Sequence, residues 1–182
     1  MRTRDFDPAR LDVEAFAKAG ASMEGSWPLR RLERFAAASV STTESDQVTW
    51  RARGEHRPVR GGHPQIWLHI EAHAAVMLEC QRCLGPVAEQ VDAQRSFLFV
   101  HGETTAAELD ADSEDDVLAM THSLDLYELI EDELLLAMPL VPRHETCPEP
   151  LTQSEATGTL EEDAAPNPFA ALAALKRGGL PS

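Results

Sequence analysis

The chain has 182 residues, enough for one ordinary domain and a tail, and its 43% hydrophobic content suffices for a core filled mainly by aliphatic side chains, since aromatics make up only 5%. Net charge is −15 but uneven: residues 1–63 carry 11 Lys and Arg against 9 Asp and Glu, and residues 64–182 carry 5 against 22. The acidic part would repel phosphates, which excludes broad nucleic-acid binding there and leaves any RNA contact to the arginines of the first third.

Asp7-Pro8 opens a short helix through about Gly20, with Leu11, Phe16 and Ala17 turned inward. Met23 to Leu29 reads as a short strand, and Leu29 to Ala38 as a helical turn. Leu29, Leu32 and Phe35 share one side of that turn, and Arg30, Arg31 and Arg34 the other. Residues 47–55 alternate, placing Val48, Trp50 and Ala52 on a buried face and Arg51, Arg53 and Glu55 on an open one. Arg57 and Arg60 follow in a loop. Residues 66–80 carry the longest alternation, from Ile66 to Cys80, with Trp67, His69 and His73 on the polar face. Past a Cys83-Leu-Gly-Pro86 turn, residues 87–100 return with Val87, Val91, Phe97 and Phe99 on one face, which makes a long antiparallel hairpin. Glu108 to Asp116 reads as an acidic mobile loop. Leu124 to Met138 is the clearest helix, with Asp125 and Glu128 at capping-box spacing. Its apolar stripe is Leu126, Leu129, Ile130, Leu134, Ala137 and Met138.

The expected fold class is therefore α+β. An antiparallel sheet or partly open barrel is built on the long hairpin, with a packed amphipathic helix and a flexible C-terminal tail. The domain spans 1–148, an acidic disordered linker 149–165, and a short helix 166–177 carries Phe169, Leu172 and Leu175. No internal repeat is visible.

The chain has three cysteines, two of them in a C-x-x-C, which do not form an even disulfide framework. Met1–Asp7 has no apolar segment behind its arginines, and no apolar run approaches the ~20 residues that span a bilayer. The expectation is a cytoplasmic protein without membrane contact, whose cysteines serve metal or redox chemistry. Cys80-x-x-Cys83 and His144-x-x-Cys147 supply the ligands of a closed Cys3His zinc site, structural because no position stays open. The competing reading makes Cys80 a core cysteine and His144 and Cys147 plain loop residues. Redox use of the C-x-x-C ranks below zinc, because a hairpin tip lacks the helix N-terminus that lowers a thiol pKa.

His69 and His73 on a strand lie about 13 Å apart, so they do not form a metal pair. Glu128, Glu131, Asp132 and Glu133 read as a solvated helix face. No phosphate loop, Rossmann fingerprint or nucleophile elbow is present, and no small-molecule substrate is indicated. Arg30, Arg31, Arg34, Arg51, Arg53, Arg57 and Arg60 form one basic patch if the helical turn packs beside the strand, and otherwise an ordinary charged surface.

The Cys80-Gln-Arg-Cys-Leu-Gly-Pro86 turn is followed by Asp125-Leu-Tyr-Glu-Leu-Ile-Glu-Asp-Glu-Leu-Leu-Leu-Ala-Met-Pro139, by Pro142-Arg-His-x-x-Cys147, and by the tail Asn167-Pro-Phe-Ala-Ala-Leu-Ala-Ala-Leu-Lys176. In that order these resemble the YceD-type large ribosomal RNA subunit accumulation family of bacteria and plastids. The resemblance covers about residues 20–150 and the tail. It implies a non-enzymatic cytoplasmic factor supporting synthesis, processing or stability of 23S ribosomal RNA, with that RNA or a pre-large-subunit particle as partner. It makes RNA contact by the arginines plausible, and leaves a basic ribosomal or assembly protein as partner for the acidic half. The alternative is a zinc-stapled acidic protein-interaction module without direct RNA contact. The family supplies no catalytic residue, and the metal rests on the residues alone.

Overall fold

Period-two alternation needs one buried face, and here a layer of helices provides the cover. The computed structural model describes residues 6–148. Its strands are β1 (Ser22–Pro28), β2 (Gln47–Arg57), β3 (Gln65–Glu79), β4 (Pro86–Val100) and β5 (Asp116–Ala119), in that spatial order. β1 to β4 pair antiparallel in unbroken register, and β3 with β4 is the long hairpin. The sheet is open and mixed, because β5 joins β4 in parallel.

Helices α1 (Val13–Lys18), α2 (Glu33–Ala37) and α4 (Leu126–Ala137) contribute their apolar sides to one core with the sheet. Leu11, Phe16, Leu29, Leu32 and Phe35 are fully buried in it, with Val48, Leu68, Ile70, Leu126, Ile130 and Leu134. Gly54 lets α1 approach β2: a Cβ there would stand 2.7 Å from the Ala17 backbone and 2.8 Å from the Phe16 ring. Trp50 lies over Gly25 of the next strand, and Trp27 stacks between Trp50 and Tyr127 at centroid distances of 4.4 and 3.9 Å.

The structure departs from the sequence reading in four places. The expected helix over 7–20 is broken into a 3-10 turn, Pro8–Arg10, and α1. Asp7 caps the first and Asp12 the second, while buried Leu11 between them exchanges two backbone hydrogen bonds with Leu124. The acidic stretch expected as a mobile loop forms α3 (Glu103–Asp112) and β5 instead. Its order comes from the sheet: Asp110 accepts the Val117 N–H, and Val117 extends a lateral row with Leu98 and Trp67. That row lies on the face away from the main core, which explains why Trp67, expected on the polar side, is buried. Ala137, expected in the apolar stripe, is exposed, whereas Glu131 and Glu133, expected in solvent, are buried. The expected linker and C-terminal helix at 149–165 and 166–177 lie outside the described residues. Among the described residues no helix is long and apolar enough to cross a membrane.

Candidate metal centre and arginine-bearing face

Cys80 closes the apolar face of β3 and is fully buried. The turn behind it is tight: Cys80 N–H donates to Gly85 O, Leu84 N–H to Cys80 O, and Leu84 adopts a left-handed φ of 59°. This folds Cys83 back beside Cys80. The second ligand pair comes from the loop after α4, which docks on the hairpin tip through Gln81 N–H to Pro142 O at 2.9 Å. The Arg82 guanidinium donates to the carbonyls of His144 and Glu145, at 2.6 and 3.3 Å. Arg82 sits inside the motif, but its role was not legible without the loop beside it.

These contacts bring the donor atoms of Cys80, Cys83, His144 and Cys147 within 4.8 Å of one another. Cys80 and Cys147 Sγ are 3.9 Å apart, and Cys83 Sγ is 3.5 Å from His144 Nδ1. Ordinary zinc–ligand lengths at a tetrahedral angle give edges of about 3.8 Å for two thiolates and about 3.6 Å for thiolate and imidazole. His144 Nε2 lies 2.9 Å from the Pro86 carbonyl, an acceptor that requires the proton on Nε2 and leaves Nδ1 with its lone pair toward the sulfurs. Burial pushes the Cys80 thiol up. Backbone hydrogen bonds from Cys83, His144 and Arg82, with the Cys83 side chain, outweigh it and draw Cys80 down to about 5. At Cys83 the Gly85 backbone lowers the thiol, but burial and the neighbouring sulfurs of Cys147 and Cys80 prevail and raise it. The site thus favours thiolate at Cys80 and disfavours it at Cys83, a crowding of sulfurs that a cation would reconcile. The sequence-predicted ligands therefore form one cluster at metal-binding distances, and the donor set fits zinc.

The arginines divide between two surfaces. Arg30, Arg31 and Arg34 project from the helical layer, whereas Arg51, Arg53 and Arg57 alternate along the opposite, bare face of β2. Arg30 pairs with Glu44 at 3.0 Å, and Arg31 lies 3.9 Å over the Tyr127 ring. Arg34 is drawn into the fold: it pairs with Glu131 at 2.9 Å and Asp132 at 2.6 Å. On the bare face Arg51 meets Glu24 at 3.0 Å, and Arg53 and Arg57 share Glu55 at 3.7 and 3.0 Å. Hydrogen bonds from Arg57 and then His69 hold the Glu55 carboxyl below its ordinary range. Arg57 also covers the Trp67 ring at 4.9 Å, and Arg60 stands in the following turn, exposed. His69 bonds Ser96 and Glu55, and His73 bonds Asp92, so each histidine has its own partners.

Two carboxylates were missed by sequence reasoning. Glu131 accepts the backbone N–H groups of Arg34 and Phe35, at 2.7 and 3.2 Å, and so caps α2, whose own N-cap Leu32 offers no side-chain acceptor. Glu133 holds Arg95 at 3.0 Å. No local pattern marks either one, since both partners come from segments distant in sequence.

Comparison with known proteins places the chain. The family described as "Large ribosomal RNA subunit accumulation protein YceD" matches residues 68–176, which include all four clustered ligands. A "Large ribosomal RNA subunit accumulation protein YceD" from Haemophilus influenzae is 33% identical over 176 residues, covering 93% of this chain and 96% of that protein. No solved structure matches. The motif order, the hairpin-tip cluster and the full-length similarity agree: the chain belongs to the YceD family of large ribosomal RNA subunit accumulation proteins.

Proposed function

We propose that this chain is a non-enzymatic cytoplasmic factor that supports 23S ribosomal RNA by contacting it, or a pre-large-subunit particle, through the bare face of the sheet. The observation that carries the reading is the row of Arg51, Arg53 and Arg57 on one open face, continued by Arg60. Arg51 to Arg57 spans about 20 Å at 3.3 Å per residue. Its Arg51–Glu24 ion pair is solvent-facing, with side-chain exposures of 62% and 69%, whereas the Glu55 shared by Arg53 and Arg57 is 29% exposed. A pair as exposed as Arg51 with Glu24 holds weakly, about 0–1 kcal/mol, so a phosphate can replace Glu24 at little cost. Arg30 and Arg31 lie on the helical side and offer a separate contact, while Arg34 serves the fold first. The acidity of residues 64–182 favours a basic ribosomal or assembly protein as a second partner.

Cys80, Cys83, His144 and Cys147 hold one zinc ion in this reading. Bound there, zinc supplies a cross-link between the hairpin tip and the loop after α4. With four protein ligands the site is closed and structural.

Depleting the protein should lower 23S relative to 16S RNA, and normal subunit profiles would sink the reading. In purified protein, Arg51→Ala with Arg53→Ala should remove RNA crosslinking. Crosslinking that survives both would leave the alternative, an acidic protein-interaction module without RNA contact. Elemental analysis of protein purified without chelator should give one zinc per chain.

A further inference from the structure

The long hairpin outruns its neighbour. β4 has 15 residues, but β5 pairs only with Phe97–Val100. Among the described residues, the stretch from Pro86 to Ser96 has no strand on that side. The phase of the ladder fixes which groups are open. Gly85 O accepts from Cys80 on the β3 side, and Val100 O accepts from Met120 on the other. Strand alternation then turns the backbone N–H and C=O of Ala88, Gln90, Asp92 and Gln94 outward, away from β3. The other outer strand, β1, has seven residues and runs into a proline.

The free edge is walled. Beside its first residues, Val87 to Glu89 face Arg143 to Thr146 of the metal-cluster loop across a groove of about 580 Å³. Farther along, Asp92 to Arg95 face Glu133, Leu136 and Ala137 of α4 across one of about 210 Å³. Between these walls the chain carries three exposed apolar residues: Leu136 at 72%, Leu140 at 99% and Val141 at 54%. An unpaired edge next to exposed aliphatic side chains is the geometry that accepts an added strand. The charges along it select the occupant. Glu89 and Glu145 face the groove at the hairpin tip, Asp92 is held by His73 on the opposite face, and Arg95 is held by Glu133 and Asp116, leaving Arg143 as the remaining Lys or Arg among these lining residues.

We propose that the edge of β4 from Ala88 to Gln94 docks an extended, basic and aliphatic segment of a partner protein as an added strand. Backbone pairing with the edge would hold the segment. Its aliphatic side chains on the helix side cover Leu136, Leu140 and Val141, and Lys or Arg at its end beside the hairpin tip meets Glu89 and Glu145. This gives the basic protein partner of the functional reading above a docking place, and it does not involve the arginine face.

The test uses the full chain and a labelled Val-rich peptide of about ten residues with Lys confined to one end, long enough to lie along the edge at 3.3 Å per residue. Fluorescence anisotropy should show binding of this peptide and none of its Glu–Val counterpart. N-methylation of alternate peptide amides should weaken binding at least tenfold. Gln90→Pro removes one outward N–H without touching the ladder to β3 and should weaken it equally, with the melting temperature monitored. Hydrogen exchange in the complex should slow at Ala88, Gln90, Asp92 and Gln94. Equal binding of the Glu–Val peptide, indifference to N-methylation, or protection confined to β1 would overturn the proposal. So would a dimer of this chain that Gln90→Pro dissolves, because a second copy would then be the occupant. If Gln90→Pro fails to fold, the N-methylated peptide decides alone. Arg51→Ala with Arg53→Ala should leave peptide affinity unchanged, so loss of RNA crosslinking and loss of peptide binding are read separately.

Discussion

Arg34 and Arg51 each meet a glutamate at about the same distance, 2.9 and 3.0 Å, yet the two pairs serve different ends. Glu131 is only 11% exposed, accepts two backbone N–H groups as well, and ties α2 to α4. Glu24 is 69% exposed and touches only the neighbouring strand's arginine. The lesson concerns the two faces of the sheet. On the covered face a charge is fixed because removing its partner strands buried polar groups. On the bare face the Arg51–Glu24 pair is exchangeable, which is what the RNA contact proposed above requires.

The comparison can be broken most forcefully at the hairpin tip, where Cys80 and Cys147 belong to the covered core. Chelation of metal, or Cys83→Ser, should lower unfolding free energy by about 4 kcal/mol, in the range reached by lost metals. Equilibrium denaturation with and without chelator measures it, and identical curves would leave the cluster as plain core thiols. Gly54→Ala comes next: its methyl has backbone atoms 2.7 Å away that cannot yield, so about 3 kcal/mol should be lost. Glu131→Ala should cost about 2 kcal/mol by uncapping α2, whereas Glu24→Ala should stay within about 0.5 kcal/mol. Equal losses in a pair of urea titrations would erase the distinction between the faces. Arg51→Ala with Arg53→Ala should leave the melting temperature nearly unchanged while removing RNA crosslinking. The smallest effect belongs to Glu55. Its carboxyl titrates below the ordinary range, so its small stabilising contribution is present above that range and lost as pH falls through the lowered value. Glu55→Gln should abolish that acid-side dependence, and matching pH–stability profiles would show that the pairs with Arg57 and His69 are idle.

How much was legible follows from the range of each signal. The alternation from Ile66 to Cys80 and its return from Val87 to Phe99 read as a hairpin because period two needs only neighbouring residues and one buried face. The two ligand pairs were legible because each pair is local, with two residues between its ligands. Their meeting across sixty residues was an inference from chemistry that the structure then brought together. Glu103 to Ala119 misled because it has acidic composition and no apolar period. Its helix and parallel strand depend on β4 offering an edge and on Trp67 and Leu98 needing cover.

The sequence by itself thus determined β1 to β4, the apolar half of α4, the candidate ligand residues and the family, all written in short-range spacing and residue type. Only the tertiary structure decided which charges are locked and which are open. Arg34 and Arg51 are both charged side chains at surface positions of their elements. Burial of a partner carboxylate depends on what packs over it, and that is set by α2 lying on α4 while nothing among the described residues lies over Arg51 and Arg53.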